Sequence, residues 1–539
     1  MPRRKIPTKA ELIQLQKLYK TDEKIAERLG NVSPQLVAYW RRKKNIPKHS
    51  FPKFSESEIK ELWERYGDDY RCGLELGLSK AAFYNWRRRY NIKQKPAFLK
   101  LEQLELDLGA PTKKTGKKHL YGQRTIIQKI MTTASGRESV SPGETVTIEP
   151  DLVMAHINAV EVIAAFKNNG HSHVWNANRI AIPLDWRSRL SDDNHAGYQK
   201  TIRDFVRVQN IKHFYDFREG VCHQVVIEKG LVLPGQVALG TDTLTTVYGA
   251  VGACGIMIDI SAMAAVWANG SYSVTVPDTI KIIINGKMPQ GVCARDVAMF
   301  IVRKLSSNGA KGKAVEFYGT AVTQMSISDR VALSTIAREI GAMTTICPFD
   351  TVTRRFFVNR THMPFRPALS DKDALYNESY EINIDQIRPK IIGPYPDTTV
   401  KSVEEMGQVP VHHVIIGSAT TGRFEDLRTV ADIIKGHQVH RETQLYIFPG
   451  SRTIYLEAIK KGLIRALLEA GAIVMNPGSA GEFFLNQIRP SNGEVCLTTF
   501  GQGDFDLDIV GGSTVYSVSA ATAALSAIKG VISDPSDIS

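Results

Sequence analysis

The sequence predicts an α/β body preceded by two small all-α units, and three observations carry that prediction. Residues 11–46 recur, with changes, at 58–92, so the N-terminal arm is one helical unit used twice. Downstream, short β-rich runs at 281–284, 411–416 and 444–448 alternate with amphipathic helical patterns, which is how layered α/β sheets read. Charge divides at the same boundary: residues 1–124 hold 29 Lys+Arg against 14 Asp+Glu, and the remainder 39 against 41. A basic arm on a nearly neutral body points to a polyanionic partner for the arm.

The totals set the outer bounds. At 539 residues, 43% hydrophobic and 23% charged, there is material for several domains. The basic start at Met1-Pro-Arg-Arg-Lys5 runs into a polar helical pattern, so no secretory leader is expected. Residues 250–269 are the most apolar stretch, but Gly, Ala and Asp259 within it predict a buried helix over a membrane span. Six cysteines, none in a Cys-x-x-Cys pair, predict free thiols and a cytoplasmic protein.

In the arm, the first copy aligns with the second at a shift of 47, then 46 after a gap at Asn31. Each copy (1–50 and 51–95) predicts three helices, the third opened by Ser33-Pro34 or by Ser79 as caps. A Gly turn between short helices and a capped third helix ending in Trp-Arg-Arg resembles helix-turn-helix modules of the resolvase or sigma-factor type. That resemblance implies a third helix in the major groove of DNA. Gln35 and Asn85 are of the type that reads adenine edges, and Arg41, Arg42, Arg87 and Arg88 would neutralise phosphates. Trp40 and Trp86 are expected in the core. Residues 96–120, rich in Gly, Pro, Thr and Lys towards their end, predict a tether.

The body (121–539) is organised around Gly417-Ser418-Ala419-Thr420-Thr421-Gly422-Arg423-Phe424-Glu425-Asp426-Leu427-Arg428, a tight turn between an apolar run and a helical pattern. It resembles the strand-turn-helix of the aconitase family, G-S-C-T-N-x-R-x-E-D-L-R. The stretches 122–130, 140–144, 220–224, 230–235, 249–253, 448–451 and 468–483 resemble further motifs of 3-isopropylmalate dehydratase large subunits, in the same order. The resemblance implies aconitase-like three-layer α/β/α domains around a cleft. It also implies that the swivelling domain comes from a separate small-subunit-like partner, unless the body self-associates.

At the chemistry the chain departs from that family. The cysteines that hold a [4Fe-4S] cluster there are Ala419, Ser479 and Glu482 here, so no cofactor is expected. The family's D-S-H-T reads Asp242-Thr243-Leu244-Thr245, its Asp-His pair reads Asp185-Trp186, and its N-R-N-F-x-G-R loop ends Phe500-Gly501-Gln502-Gly503. What persists is Asp242 with His223, Glu339 and Asp185 as residual acid–base groups. Ser418, Thr420, Arg423, Ser451 and Arg452 are candidates to hold a small carboxylate or phosphate. Two functions follow as expectations. One is a DNA-binding regulator whose body senses such a metabolite; the other is a hydro-lyase of a hydroxy acid working without the cluster.

Overall fold

The computed structural model describes residues 6–19, 21–30, 32–47, 54–66, 69–76, 78, 80–90, 92, 123–185, 195–306, 308–358, 360–361, 363–478, 490–501 and 512–537. The predicted tether and Ser79, Trp186, Ser479, Glu482, Gln502 and Gly503 lie outside these residues. The chain divides into two compact units, Met1–Lys117 and Lys118–Ser539.

In the first unit the repeat is a repeat of three short helices: α1 (Lys9–Tyr19), α2 (Asp22–Leu29) and α3 (Pro34–Lys43), then α4 (Glu56–Tyr66), α5 (Asp69–Glu75) and α6 (Lys80–Arg89). Thr21 and Ser33 accept hydrogen bonds from Lys24 and Leu36 amides at the starts of α2 and α3, and Pro34 opens α3. Leu12, Ile25, Ala26, Val37, Trp40 and Ile46 form the first core; Ile59, Trp63, Cys72 and Phe83 form the second. Trp86 is only partly buried, set edge-on to Phe54 and stacked on Tyr90.

Arg41 and Arg87, expected on a phosphate-facing surface, are buried at 8% and 4% exposure. Arg41 forks onto Asp22 (3.1 and 3.0 Å) and donates to the Ile46 carbonyl. Arg87 forks onto Asp69 (2.8 and 3.0 Å) and donates to the Ile92 carbonyl, with its guanidinium 4.0 Å from the Trp63 ring centre. The same brace therefore ties the second helix of each copy to the third.

The second unit is built on sheets. β2 (Leu152–Met154), β3 (Ile180–Pro183), β4 (His213–Tyr215), β5 (Val237–Gly240) and β6 (Cys254–Met257) form a parallel sheet in the order β4-β3-β2-β5-β6. Beside it β1 (Thr145–Ile148) pairs antiparallel with β7 (Tyr272–Thr275). The stretch 250–269, expected as one buried helix, holds β6 and then the helix Ile260–Asn269, because Asp259 caps a helix start onto Ala262. A second parallel sheet joins β8 (Thr279–Asn285), β9 (Ala314–Tyr318), β10 (Thr344–Ile346) and β11 (Glu378–Asn383) in the order β10-β9-β8-β11.

The third sheet runs β13-β12-β18-β17-β14-β15-β16. It comprises β12 (Lys390–Ile392), β13 (Val400–Ser402), β14 (His413–Ile416), β15 (Gln444–Ile447), β16 (Ile473–Val474), β17 (Val495–Thr498) and β18 (Thr514–Val518). β14 to β18 are parallel, whereas β12 pairs antiparallel with both neighbours. The three larger sheets are each packed against an extensive apolar core. Burial of that extent is the main force holding such layers together. Among the described residues no helix is long and apolar enough to cross a membrane.

Candidate functional site

Strand order decides where this fold places chemistry. In an open parallel sheet the crevice lies outside the carboxyl ends of the strands, where the strand order reverses. In the first sheet that reversal falls between β2 and β5. His156 follows β2 and Asp242 follows β5, and they meet across it with Nε2 3.5 Å from Oδ2. In the third sheet the reversal falls between β14 and β17. Gly417 and Thr421 follow β14 and Thr499 follows β17. The Thr499 hydroxyl accepts from the Gly417 amide at 3.0 Å and lies 2.7 Å from the Thr421 hydroxyl.

The two edges are joined. Gly220 bridges to Ser451, the Val221 amide donates to the Gly450 carbonyl, and the Arg452 amide donates to the Glu219 carbonyl. Arg423 Nε donates to Gln224 Oε1 at 3.1 Å, and the Ser451 hydroxyl donates to Glu228 at 2.8 Å. Gly220 sits at φ +124°, and a Cβ there would overlap the Gly450 and Ser451 backbone. A residue with a side chain could not make this crossing.

Within the junction, Asp242 is 6% exposed and caps the segment Thr243–Val251 through the Leu244 amide (2.7 Å). Its Oδ1 lies 3.1 Å from His223 Nε2, and His223 Nδ1 lies 3.3 Å from the Tyr248 hydroxyl. Burial pushes the Tyr248 phenol well above its ordinary value, so it stays protonated and can donate. His223 is thus held at both ring nitrogens, between the Tyr248 hydroxyl and the Asp242 carboxylate. Asp185 is buried at the same edge, just beyond β3. Glu339 stands on the short helix Ile336–Ile340, which packs against Thr243–Val251.

The expected ligand groups are brought together, but mostly onto each other. Ser418 accepts from the Thr420 amide and its hydroxyl lies 2.9 Å from the Thr420 hydroxyl. Arg423 is 4% exposed and also donates to the Thr420 carbonyl. Ser451 caps the helix Arg452–Lys460 through the Ile454 amide (3.1 Å). These side chains hold the turn and the junction. Arg452 differs, with a side chain 62% exposed and 3.8 Å from Glu219. His156, Tyr248, Gln224 and Glu228 were missed in the sequence; His156, ending the apolar run 152–155, was the one with a visible signal.

Asp426 caps the helix Phe424–Ile434 through the Arg423 amide (3.0 Å). Burial raises its pKa to about 6, against the pull of Arg423. A carboxyl raised in the folded state stabilises the fold below its unfolded value near 4, and that stability is lost as pH climbs through 6. Asp426→Asn keeps the accepting oxygen. It should therefore melt higher than the parent at pH 8, by on the order of 3 kcal/mol of stability, and match it below about pH 4; thermal melts across that range read the difference.

The family resemblance implies an iron–sulfur cluster, and the donor set does not fit one. Ala419 is 7% exposed and offers only a methyl, packed in an apolar cluster with Cys222, Leu244 and Val247. A hydroxyl at Ser479 and a carboxylate at Glu482 are poor matches for a thiolate site.

Comparison with known proteins bears on this geometry. A family model described as "Aconitase family (aconitate hydratase)" matches residues 173–530. The chain belongs to the aconitase family. This aconitase-family chain is 36% identical over 413 residues to 3-isopropylmalate dehydratase large subunit 1 of Methanopyrus kandleri, covering 76% of the chain and 99% of that protein. A probable 3-isopropylmalate dehydratase large subunit of Methanothermobacter thermautotrophicus is 36% identical over 77% of the chain and 99% of its own length. A probable methanogen homoaconitase large subunit of Methanosarcina mazei is 37% identical over 72% and 99%.

Proposed function

We propose that this aconitase-family chain is a hydro-lyase-type large subunit that handles a small hydroxy acid without an iron–sulfur cluster. The observation that carries the reading is the Asp242 carboxylate set between His156 and His223 at the strand-order reversal of the first sheet. The relatives' names supply the reaction class, and their naming as large subunits supports a smaller swivel partner. His223 has both ring nitrogens engaged, so its role is to position Asp242. Asp242 with His156 would move the proton: a C–H bond beside the carboxylate breaks, the C=C forms, and the leaving hydroxyl departs as water. Glu339 and Asp185 are the further carboxylates that the family resemblance brings to this reading.

The test is turnover and binding of malate, citrate and isopropylmalate by full-length, chelator-treated protein, followed by NMR. Activity that survives chelation and falls at least 100-fold in Asp242→Asn, as loss of a general acid–base predicts, supports the reading. Equal turnover by parent and variant would refute it.

A second reading, of the arm as a DNA-binding element, has its own observation. On α3, Gln35, Tyr39, Arg42 and Lys43 are exposed at helical spacing; on α6, Tyr84, Asn85, Arg88 and Arg89 are exposed. We infer that these faces, relieved of Arg41 and Arg87, meet a duplex. Anisotropy titrations should show binding whose salt slope falls by about 1 for each of Arg42→Ala and Arg88→Ala. Unchanged slopes in both would remove the arm from DNA recognition.

A further inference from the structure

Beside the junction, and lined by none of the Asp242 network, is a cavity of about 220 Å³. Its walls are Arg203, Asp216, Phe217, Arg218 and Arg452. Three guanidinium groups around one cavity repel one another unless an anion joins them.

The neighbouring carboxylates meet that demand only in part: Asp216 and Glu219 are two negative charges among Arg203, Arg218, Arg452 and Lys229. Asp216 is engaged by Arg203 through two hydrogen bonds (2.8 and 3.0 Å) and by its neighbour's amide at Phe217. Glu219 is bound to Lys229 at 3.2 Å and reaches Arg452 only at 3.8 Å. The start of the helix Arg452–Lys460 is not the attractor either, because the Arg452 amide already donates to the Glu219 carbonyl.

Arg218 is held at φ +87°, a left-handed backbone that a side chain disfavours. The loop carrying it is pinned two residues on, at the Gly220–Ser451 bridge, so Arg218 and Arg452 are delivered to the same place by the contact that joins the sheets. The cavity is smaller than the roughly 300–1,000 Å³ of sites for drug-sized ligands, which favours a small ion or short acid.

We propose that this cavity is a binding site for a small oxyanion, a carboxylate or phosphate group gripped by the Arg218 and Arg452 forks with Arg203 behind them. A guanidinium presents paired N–H groups that match two oxygens of such an ion. The site stands independently of the hydro-lyase reading, since its residues and those of the Asp242 network are separate sets.

Titration of the full-length protein with inorganic phosphate and with citrate, by calorimetry at low ionic strength with a chloride control, tests it. Saturable binding of phosphate, of citrate or of both, weakened at least tenfold in each of Arg218→Gly and Arg452→Gln, is the expected result, and the probe that binds identifies the oxyanion. Arg218→Gly should melt no lower than the parent, because glycine adopts the left-handed backbone freely. No saturable binding beyond chloride, or equal binding by parent and both variants, would overturn the proposal.

Discussion

Replacing Gly220 by alanine is expected to part the first and third sheets at the candidate site. The new methyl would occupy space held by the Gly450 and Ser451 backbone, and φ +124° is closed to a residue with a Cβ. The chain can respond only by giving up the Gly220–Ser451 bridge and the Val221-to-Gly450 hydrogen bond. Strain and overpacking of this kind cost on the order of 3–5 kcal/mol together. The Arg423–Gln224 and Ser451–Glu228 bonds would loosen with it. Hydrogen exchange should report this as lost protection at 219–228 and 449–454, with protection of β8 to β11 unchanged. Unaltered protection at both loops would mean that the bridge does not hold the junction.

Arg87→Ala should unfold the second helical unit of the arm. Asp69 would be left in a site where its side chain is 12% exposed and its partner gone. Removing one member of a buried ion pair typically costs about 3–5 kcal/mol. A unit of this size has only a few kcal/mol in total, at roughly 0.05–0.15 kcal/mol per residue. Arg88→Ala, on the exposed side of the same helix, should change stability by no more than about 0.5 kcal/mol. Exchange protection of α4, α5 and α6 in the full-length protein separates the two variants; equal protection would show that the brace is dispensable.

The fate of these arginines shows what the sequence carried and where it was misread. Trp-Arg-Arg looked like a run of charge, yet Val37, Trp40 and Arg41 fall at i, i+3 and i+4, as do Phe83, Trp86 and Arg87. That spacing put the first arginine of each run on the inner side of the helix. Only its partner, Asp22 or Asp69 on the preceding helix, was beyond reach of pattern reading. In the body, the turn at 417–423, its helix and the His223–Asp242 contact were legible from motif order. Strand order was not, because nothing local in a sequence states which strands pair. His156, although it ends an apolar run, therefore finds its partner only once β2 and β5 stand side by side. The bonds of the Ser418 and Thr420 hydroxyls to their own loop were not legible for a related reason: which way a hydroxyl faces depends on packing.

The proposed cluster-free site offers a methyl at Ala419, a hydroxyl at Ser479 and a carboxylate at Glu482 where a [4Fe-4S] centre needs thiolates. Iron and sulfide analysis with visible spectroscopy on protein reconstituted anaerobically with iron and sulfide tests it most directly. A colourless protein with no stoichiometric iron, still engaging a hydroxy acid, is the predicted result. A bound [4Fe-4S] centre on which that engagement depends would contradict it.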